Sequence, residues 1–425
     1  MLKNYLKTAI AVLLRRKFLT FVNLFGTVLT LTVLIVAFAL VQCIVQPAGA
    51  EHRYDRILAI NHLNLGYSIT GDMWNADPGG AFFKSYVQPL RTPDLVSYST
   101  IPRVGTSYRD ARKLTLQIRF TDAAYWQILD FKPLMGRLLA PDDIESGRSV
   151  AVINEATAEA YFNGHEPLGQ SMVIDSHSYQ VVGVVPNEAE TSRLAYADVW
   201  VPITAMEVRA YEQQWMSDGQ IMLYVTDPAK RRAMREELAA RVRRLEVNPD
   251  PERYDTLRAP ATTPLEDLAA GELGRVGVRH APGREGVESE DVSLFIAGAS
   301  LLALLFMALP AVNLVNLNVG RIMERAPEIG LRKAAGAPTH VLVGQFIFEN
   351  LVLALLGGLI SLAIAPFVLA VLNDVFRYGQ LQLNLSALAA GLVFVMVFGV
   401  LSGAYPAWKM ARLEPAAALK GRRDV

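Results

Sequence analysis

"RAPEIGLRKAAGAP", residues Arg325–Pro338, lies between two long apolar runs. It carries Arg325, Arg332 and Lys333 against a single acid, Glu328. Pro327 can open a helix, because the N–H it lacks would be unpaired in the first turn anyway. Gly336 can close one in the left-handed cap conformation, and Pro338 then forbids continuation. Glu328 falls at the positive end of such a helix, and Arg332 and Lys333 fall toward its negative end. Pro327–Ala335 therefore reads as a self-contained helix about 13 Å long at 1.5 Å per residue. Its charges favour an aqueous face, while Ile329 and Leu331 offer apolar contacts. Two physical readings stand at this point: a helix that docks into another protein, or a plain turn at a membrane interface.

Working outward, the chain is sharply partitioned. Of its 425 residues, 52% are hydrophobic and 19% charged, with no net charge. Residues 1–45 and 292–425 are strongly apolar, whereas 51–291 have the composition of a soluble domain. Four runs approach or exceed the length of about 20 apolar residues that crosses a bilayer. They are 18–45, 292–319, 341–372 and 385–404. The first follows a basic start and precedes "AGA" at Ala48–Ala50, as a signal peptide would. Its apolar run is about twice a signal core of 7–15 residues, so a retained anchor is expected. Cys43, the one cysteine, sits in that run as a small hydrophobe and excludes an intrachain disulfide.

Orientation follows from the basic residues in the short flanks. Residues 1–17 hold Lys3, Lys7, Arg15, Arg16 and Lys17; the 321–340 loop holds Arg321, Arg325, Arg332 and Lys333; the 405–425 tail holds Lys409, Arg412, Lys420, Arg422 and Arg423. The loop between the last two runs has only Arg377, beside Asp374. Both termini and the 321–340 loop are therefore expected in the cytoplasm, with 51–291 outside. Leu2, Leu6, Ala9, Ile10, Leu13 and Leu14 recur at helical spacing in 1–17, which suits an amphipathic helix in the cytoplasmic interface.

The outer segment alternates strands and helices. "SVAVIN" (Ser149–Asn154) and "DVWVPI" (Asp198–Ile203) have strand composition, and "EATAEAYF" is helical. "SMVIDSHSYQVVGVV" (Ser171–Val185) reads as two strands around a turn at Ser176–Ser178. Between Pro228 and Leu245, Met234, Leu238, Val242 and Leu245 mark an amphipathic helix. Its arginines are interleaved with Glu236 and Glu237, which argues for a solvated face and against nucleic acid. Residues 272–291, rich in Gly, Arg and Glu, read as a loop returning to the membrane.

Catalytic signals are missing. There is no G-x-x-x-x-G-K-[ST] phosphate loop, no H-E-x-x-H, no Cys–His metal spacing and no G-x-S-x-G. The six histidines are scattered. Within the apolar runs, Asn313 and Asn316 (with Asn318) and Glu349 (with Gln345 and Asn350) lie near the expected cytoplasmic ends. Such groups are functional candidates by default, but their position near the interface favours polar contacts between helices.

A family resemblance then decides between the two readings of the opening segment. "ERAPEIGLRKAAGAP" resembles the coupling segment of FtsX/MacB-type ABC transporter permeases, whose pattern runs Arg-Glu-Ile-Gly-Ile/Leu-Arg-Lys-Ala-x-Gly-Ala. Pro327 stands where many members carry Arg or another polar residue. "LMGRLLAPDD" together with "SVAVINEATAEAYFNGHEPLGQSMVIDSHSYQVVGVVPN" (Leu134–Asn187) resembles the family's external core domain, and "YPAWKMARLEPAAALK" (Tyr405–Lys420) its C-terminal end. The resemblance implies a multi-pass inner-membrane protein with four transmembrane α-helices, an N-terminal interfacial helix and a large α+β external domain. It implies a porter lobe at 51–112 and 204–285 and an inserted lobe at 113–203. It further implies a dimer with an identical or paralogous permease chain, bound to two ABC ATPase subunits through Pro327, Glu328, Ile329, Gly330, Leu331, Arg332, Lys333 and Gly336. ATP and Mg would bind the ATPases, and this chain would hold no cofactor or metal and catalyse nothing itself. Family members work by mechanotransmission within membrane lipid. Their outputs are efflux of antibiotics or peptides with a periplasmic adaptor and outer-membrane duct, lipoprotein release, or control of a cell-wall hydrolase. The external domain of about 240 residues makes efflux the leading expectation.

Overall fold

The computed structural model describes residues 17–45, 49–67, 72–109, 112–206, 212–245, 254–267, 269 and 338–375, with helical backbone at 293–299, 301, 302, 305, 393, 397 and 400. The chain forms two compact units: Met1–Val41 with Ile296–Asn373 and Leu381–Val425, and Gln42–Phe295 with Asp374–Gln380.

In the first unit, two helices are long and apolar enough to cross a membrane. These are α1, Lys17–Val45, with mean hydropathy 2.3 over Thr20–Ala39, and Thr339–Val375 (α7 below), with 2.5 over Leu351–Val375. They match the first and third expected spans. The second and fourth, 292–319 and 385–404, lie mostly outside the described residues, as does the interfacial helix expected at 1–17. On α1, Phe18, Phe21, Phe25, Leu29 and Val33 recur every three or four residues and are exposed, while Leu31, Ile35 and Ala39 are buried. One stripe thus meets protein and the other is left exposed.

The described residues of the second unit hold fourteen strands: β1 Ile57–Ile60, β2 Leu63–Tyr67, β3 Asp72–Pro78, β4 Leu95–Thr100, β5 Arg103–Arg109, β6 Arg112–Thr121, β7 Met135–Gly136, β8 Val150–Asn154, β9 Ser171–Ile174, β10 His177–Val185, β11 Val199–Pro202, β12 Met216–Ser217, β13 Gly219–Tyr224 and β14 Thr256–Arg258. Between them run α2 Gly80–Phe82, which widens into a π turn at Phe83–Val87, α3 Ala123–Ile128, α4 Pro141–Glu145, α5 Glu155–Phe162 and α6 Arg231–Arg243. Thr339–Val375 is α7.

The large sheet runs β1-β13-β4-β6-β11-β8-β10-β9-β5, with β7 beside β10. Because β5 also pairs with β6, the strands β6, β11, β8, β10, β9 and β5 close on themselves. A smaller sheet, β12-β3-β2-β14, accompanies it. Successive side chains of a strand point to opposite faces, and here both faces are apolar. Ala151 and Ile153 of β8 and Val199 and Val201 of β11 join a cluster with Leu116, Met172, Ile174 and Val181. Val150, Val152 and Trp200 join the main core, with Trp126, Phe131 and Ile128. This explains the unbroken apolar runs of "VAVI" and "VWV".

Local chemistry sets the boundaries. Asn154 caps α5 by accepting from the Thr157 N–H at 2.8 Å, and Asn163 ends it in the left-handed conformation at φ 52°. Asp122 caps α3 in the same way, at 2.9 Å from the Tyr125 nitrogen. The β9–β10 turn is Asp175–Ser176, both at positive φ (46° and 70°), with Ile174 paired to His177. It is thus a two-residue primed turn, one position earlier than the sequence pattern placed it, because that twist matches the flanking strands. On α6, Met234, Leu238 and Val242 are buried as their spacing predicts.

Two elements of the resembling motifs meet back to back. Gly136 (φ 68°) pairs with Gly183 in the β7–β10 contact. A Cβ at Gly183 would overlap the Arg137 carbonyl oxygen, and one at Gly136 the Val182 carbonyl oxygen. Arg137 then pairs with the buried Asp143, which also receives Arg148 at 3.3 Å. Gly183→Ala is expected to cost about 1–3 kcal/mol through overpacking against backbone that cannot yield. The check is the thermal midpoint of the purified full-length variant; an unchanged midpoint would mean that β7 can retreat.

Candidate functional site

Pro327, Glu328, Ile329, Gly330, Leu331, Arg332, Lys333 and Gly336, with Asn313 and Asn316, lie outside the described residues. Glu349 belongs to α7, but its side chain also lies outside them. Two other polar arrangements among the described residues join stretches of chain remote in sequence.

The first joins α1 and α7. The Ser361 hydroxyl lies 3.0 Å from the Val28 carbonyl oxygen of α1 and 2.8 Å from the Gly357 carbonyl of its own helix, so its single O–H is shared between them. One turn away, a Cβ on Gly357 would come within 2.8 Å of Thr27 Cγ2. A small residue here lets the two backbones approach, and a hydroxyl then bonds across the gap.

The second arrangement lies where the chain enters the outer domain. Residues 46–48 separate α1 from a short 3-10 turn, Gly49–Glu51. Ala50 and Glu51 are only 2% and 3% exposed. Ala50 donates its N–H to Glu188 at 3.0 Å and accepts from the Asp130 N–H at 3.1 Å. One Glu51 carboxylate oxygen accepts from the N–H groups of both Leu194 and Ala195 at 2.7 Å. Arg119 of β6, fully buried, donates to the carbonyls of Arg193 (2.8 Å) and Tyr196 (3.2 Å) and to Gln220 Oε1 (2.7 Å). The Tyr125 hydroxyl donates to the Leu194 carbonyl at 2.9 Å and accepts from the Trp200 indole at 3.2 Å. Gly49 makes the approach feasible: at φ 71°, its Cα faces the Glu188 carboxyl, and any Cβ would collide with it.

Burial governs the electrostatics. Desolvation pushes the Glu51 carboxyl up to about 7, against the opposing effect of its two backbone N–H donors and Arg119. Desolvation, helped by the Glu51 charge and opposed by the Ala50 N–H, likewise lifts Glu188 to about 7. Glu188 Oε2 has no hydrogen-bond partner among the described residues. Glu51 has the better-satisfied carboxylate, so the proton of the pair belongs on Glu188. Burial also lowers the affinity of Arg119 for its proton.

A family model described as MacB-like periplasmic core domain matches residues 20–241, just over half of the chain. A second, the FtsX-like permease C-terminal, matches residues 300–415. The chain belongs to the FtsX/MacB-type ABC transporter permeases. As a family member it is a membrane protein with a periplasmic domain, and the core-domain match covers most of the unit that begins at Gln42. The uncharacterized ABC transporter permease YknZ of Bacillus subtilis is 24% identical over 85% of this chain and 85% of its own length. The macrolide export ATP-binding/permease protein MacB 2 of Aeromonas hydrophila is 23% identical over 97% of this chain, which spans 60% of that relative. Among solved structures, the periplasmic region of MacB from Actinobacillus actinomycetemcomitans aligns with 53% of this chain and 94% of its own, at 14% identity and a TM-score of 0.36.

Neither polar arrangement of this permease was singled out from the sequence. Glu51, Arg119 and the 188–197 loop are far apart along the chain and form no spaced motif. The one local hint is Gly49 before an acid, at the end of an apolar run.

The carboxyl pair makes stability pH-dependent with a definite sign. A carboxyl whose folded pKa lies near 7, above its ordinary 4.5, stabilises the fold fully below pH 4.5 and loses that contribution as pH rises through 7. The thermal midpoint of the full-length chain is therefore expected to fall between pH 5 and pH 8. Glu188→Gln is expected to flatten that slope, and an identical slope in the variant would exclude Glu188 as its source.

Proposed function

We propose that this chain is the membrane subunit of an inner-membrane ABC transporter that turns ATP hydrolysis by a separate ATPase into movement of its periplasmic domain. The observation that carries this reading is the charged segment Arg325–Pro338, set between apolar runs in a chain that both family models match in order. The chain contains no phosphate loop, so the energy has to come from a partner. Four spans at 18–45, 292–319, 341–372 and 385–404 place both termini and the coupling helix in the cytoplasm, beside two ATPase subunits. A second permease chain completes the assembly, and the outer domain divides into a porter lobe and an inserted lobe. Closure of the ATPases around ATP and Mg displaces the coupling helices, and the spans carry that displacement outward. Efflux of antibiotics or peptides, through a periplasmic adaptor and an outer-membrane duct, is the output in keeping with the macrolide-export relatives.

Ile329 is the apolar anchor of the docked helix, and Gly330 allows close backbone approach. Ile329→Asp would bury an unpaired carboxylate at that contact, at a cost of several kcal/mol if fully desolvated. The variant is expected to insert normally yet lose ATPase co-purification, or to keep it while activity in cells drops. Full activity at matched membrane levels would reduce the helix to an interfacial turn. Topology has its own check: a cysteine placed at Ser176 is expected to react with an impermeant reagent from outside, and labelling only from the cytoplasm would overturn the orientation.

A further inference from the structure

Two stretches of chain lead from the periplasmic domain toward the apolar runs. The incoming stretch, residues 49–56, follows α1 after residues 46–48. The outgoing stretch, residues 254–267, is the last continuous described segment before the second apolar run. They are remote in sequence, yet both bond to a single loop, residues 188–197.

The incoming stretch holds it through Glu51 on the Leu194 and Ala195 N–H groups and through the Ala50 N–H on Glu188. The outgoing stretch holds it through Asp267, whose Oδ2 accepts from Arg193 Nη1 at 2.8 Å. The outgoing stretch is also tied to β1, which continues the incoming one, and to the residue just after it. Ala59 and Thr262 exchange two backbone bonds of 2.9 Å, and Asn61 Nδ2 reaches Asp267 at 3.3 Å. On its inner side the loop meets Arg119, which bonds the Arg193 and Tyr196 carbonyls from β6. β6 belongs both to the closed ring and, through Ser99↔Thr121, to the β1-β13-β4 side of the sheet.

A loop needed only to fill space could be held by apolar packing, at no electrostatic cost. This one is held through a desolvated carboxylate and a desolvated guanidinium, each stable only while its bonds are made. Displacing the incoming stretch therefore strands Glu51 unless residues 193–196 follow, and they cannot follow without pulling on Arg119.

We propose that loop 188–197 is a coupling clamp, gripped by both membrane-linked stretches through Glu51 and Asp267, which hands their movement to the sheet through Arg119. The clamp rests on the permease reading given above. Glu51, Arg193, Asp267 and Arg119 act in it as positioning residues.

The test uses the full-length chain co-purified with its partner ATPase in lipid nanodiscs. Hydrogen exchange is read without nucleotide and with ATP plus vanadate. In the parent complex, exchange across residues 188–197 is expected to change about threefold or more between the two states, in step with residues 49–60. Arg193→Ala removes the Asp267 contact from a side chain that is 70% exposed, so folding is not at stake. This variant and Glu51→Ala are expected to lose at least half of that nucleotide response, and Arg193→Lys is expected to retain it. Glu237→Gln serves as the control. Glu237 accepts from the Arg91 and Thr92 N–H groups at 2.9 and 2.8 Å within the same domain but away from the loop. The control is expected to respond like the parent. Identical exchange at 188–197 in both states of the parent, or parental responses in Arg193→Ala, would overturn the clamp and leave the permease reading intact. A parent chain that captures no ATPase would overturn the permease reading itself, and the clamp with it; that result is seen at co-purification, before any exchange is measured.

Discussion

Arg119 is a full positive charge with no exposed surface, near the C-terminal end of the longest described strand of the large sheet. Leaving such a group without partners would cost several kcal/mol. The surrounding chain meets that demand with oxygens from three places: two carbonyls of the 188–197 loop, Gln220 of β13 and, at 3.4 Å, the hydroxyl of Ser99 on β4. One guanidinium thus ties β6 to β4, to β13 and to the loop whose N–H groups also hold Glu51. Tyr125 and Trp200 extend the network into the aromatic core, where Trp200 meets Phe131 and Trp126 edge-on at 5.4 and 6.2 Å.

The two polar arrangements solve the same problem in different solvents. Between α1 and α7 there is no hydrophobic drive to bring helices together, so a glycine and a serine supply close approach and one shared bond. In the periplasmic domain, water competes for every polar group, so the network is buried and its members are charged. In both places the polar atoms mark where one stretch of chain must keep its register on another.

Sequence reasoning reached the elements whose signal is local. The apolar runs at α1 and α7, the unbroken apolar composition of β8 and β11 and the Met234-Leu238-Val242 stripe were all legible because each is written in one contiguous stretch of sequence. The motifs "LMGR" and "VVGVV" were legible as a likeness, but not as a contact: the Gly136–Gly183 pairing that explains both glycines joins positions nearly fifty residues apart. The β9–β10 turn was placed one residue late because neither Asp175 nor Ser176 is a glycine, the usual mark of a positive φ. The Glu51–Arg119–Glu188 network had no sequence signal beyond isolated charges, which ordinarily mean a solvated surface. Closure of the ring was hidden for the same reason: its last seam is a single register pair, Ser107↔Ile174.

That seam is reinforced by side chains rather than by a longer ladder. Asp175 accepts from the Thr106 N–H at 2.8 Å and donates its own N–H to the Thr106 carbonyl at 2.9 Å, and the Ser107 hydroxyl donates to the Val173 carbonyl. A join of this kind covers part of the β5 and β9 edges, and exposed strand edges are what recruit neighbouring chains into aggregates. The outward faces of these strands carry Val104, Tyr108 and Val173, all exposed. If the seam parted, two apolar edges would open side by side. A few bonds around one two-residue turn therefore keep those two edges from facing other copies of the chain.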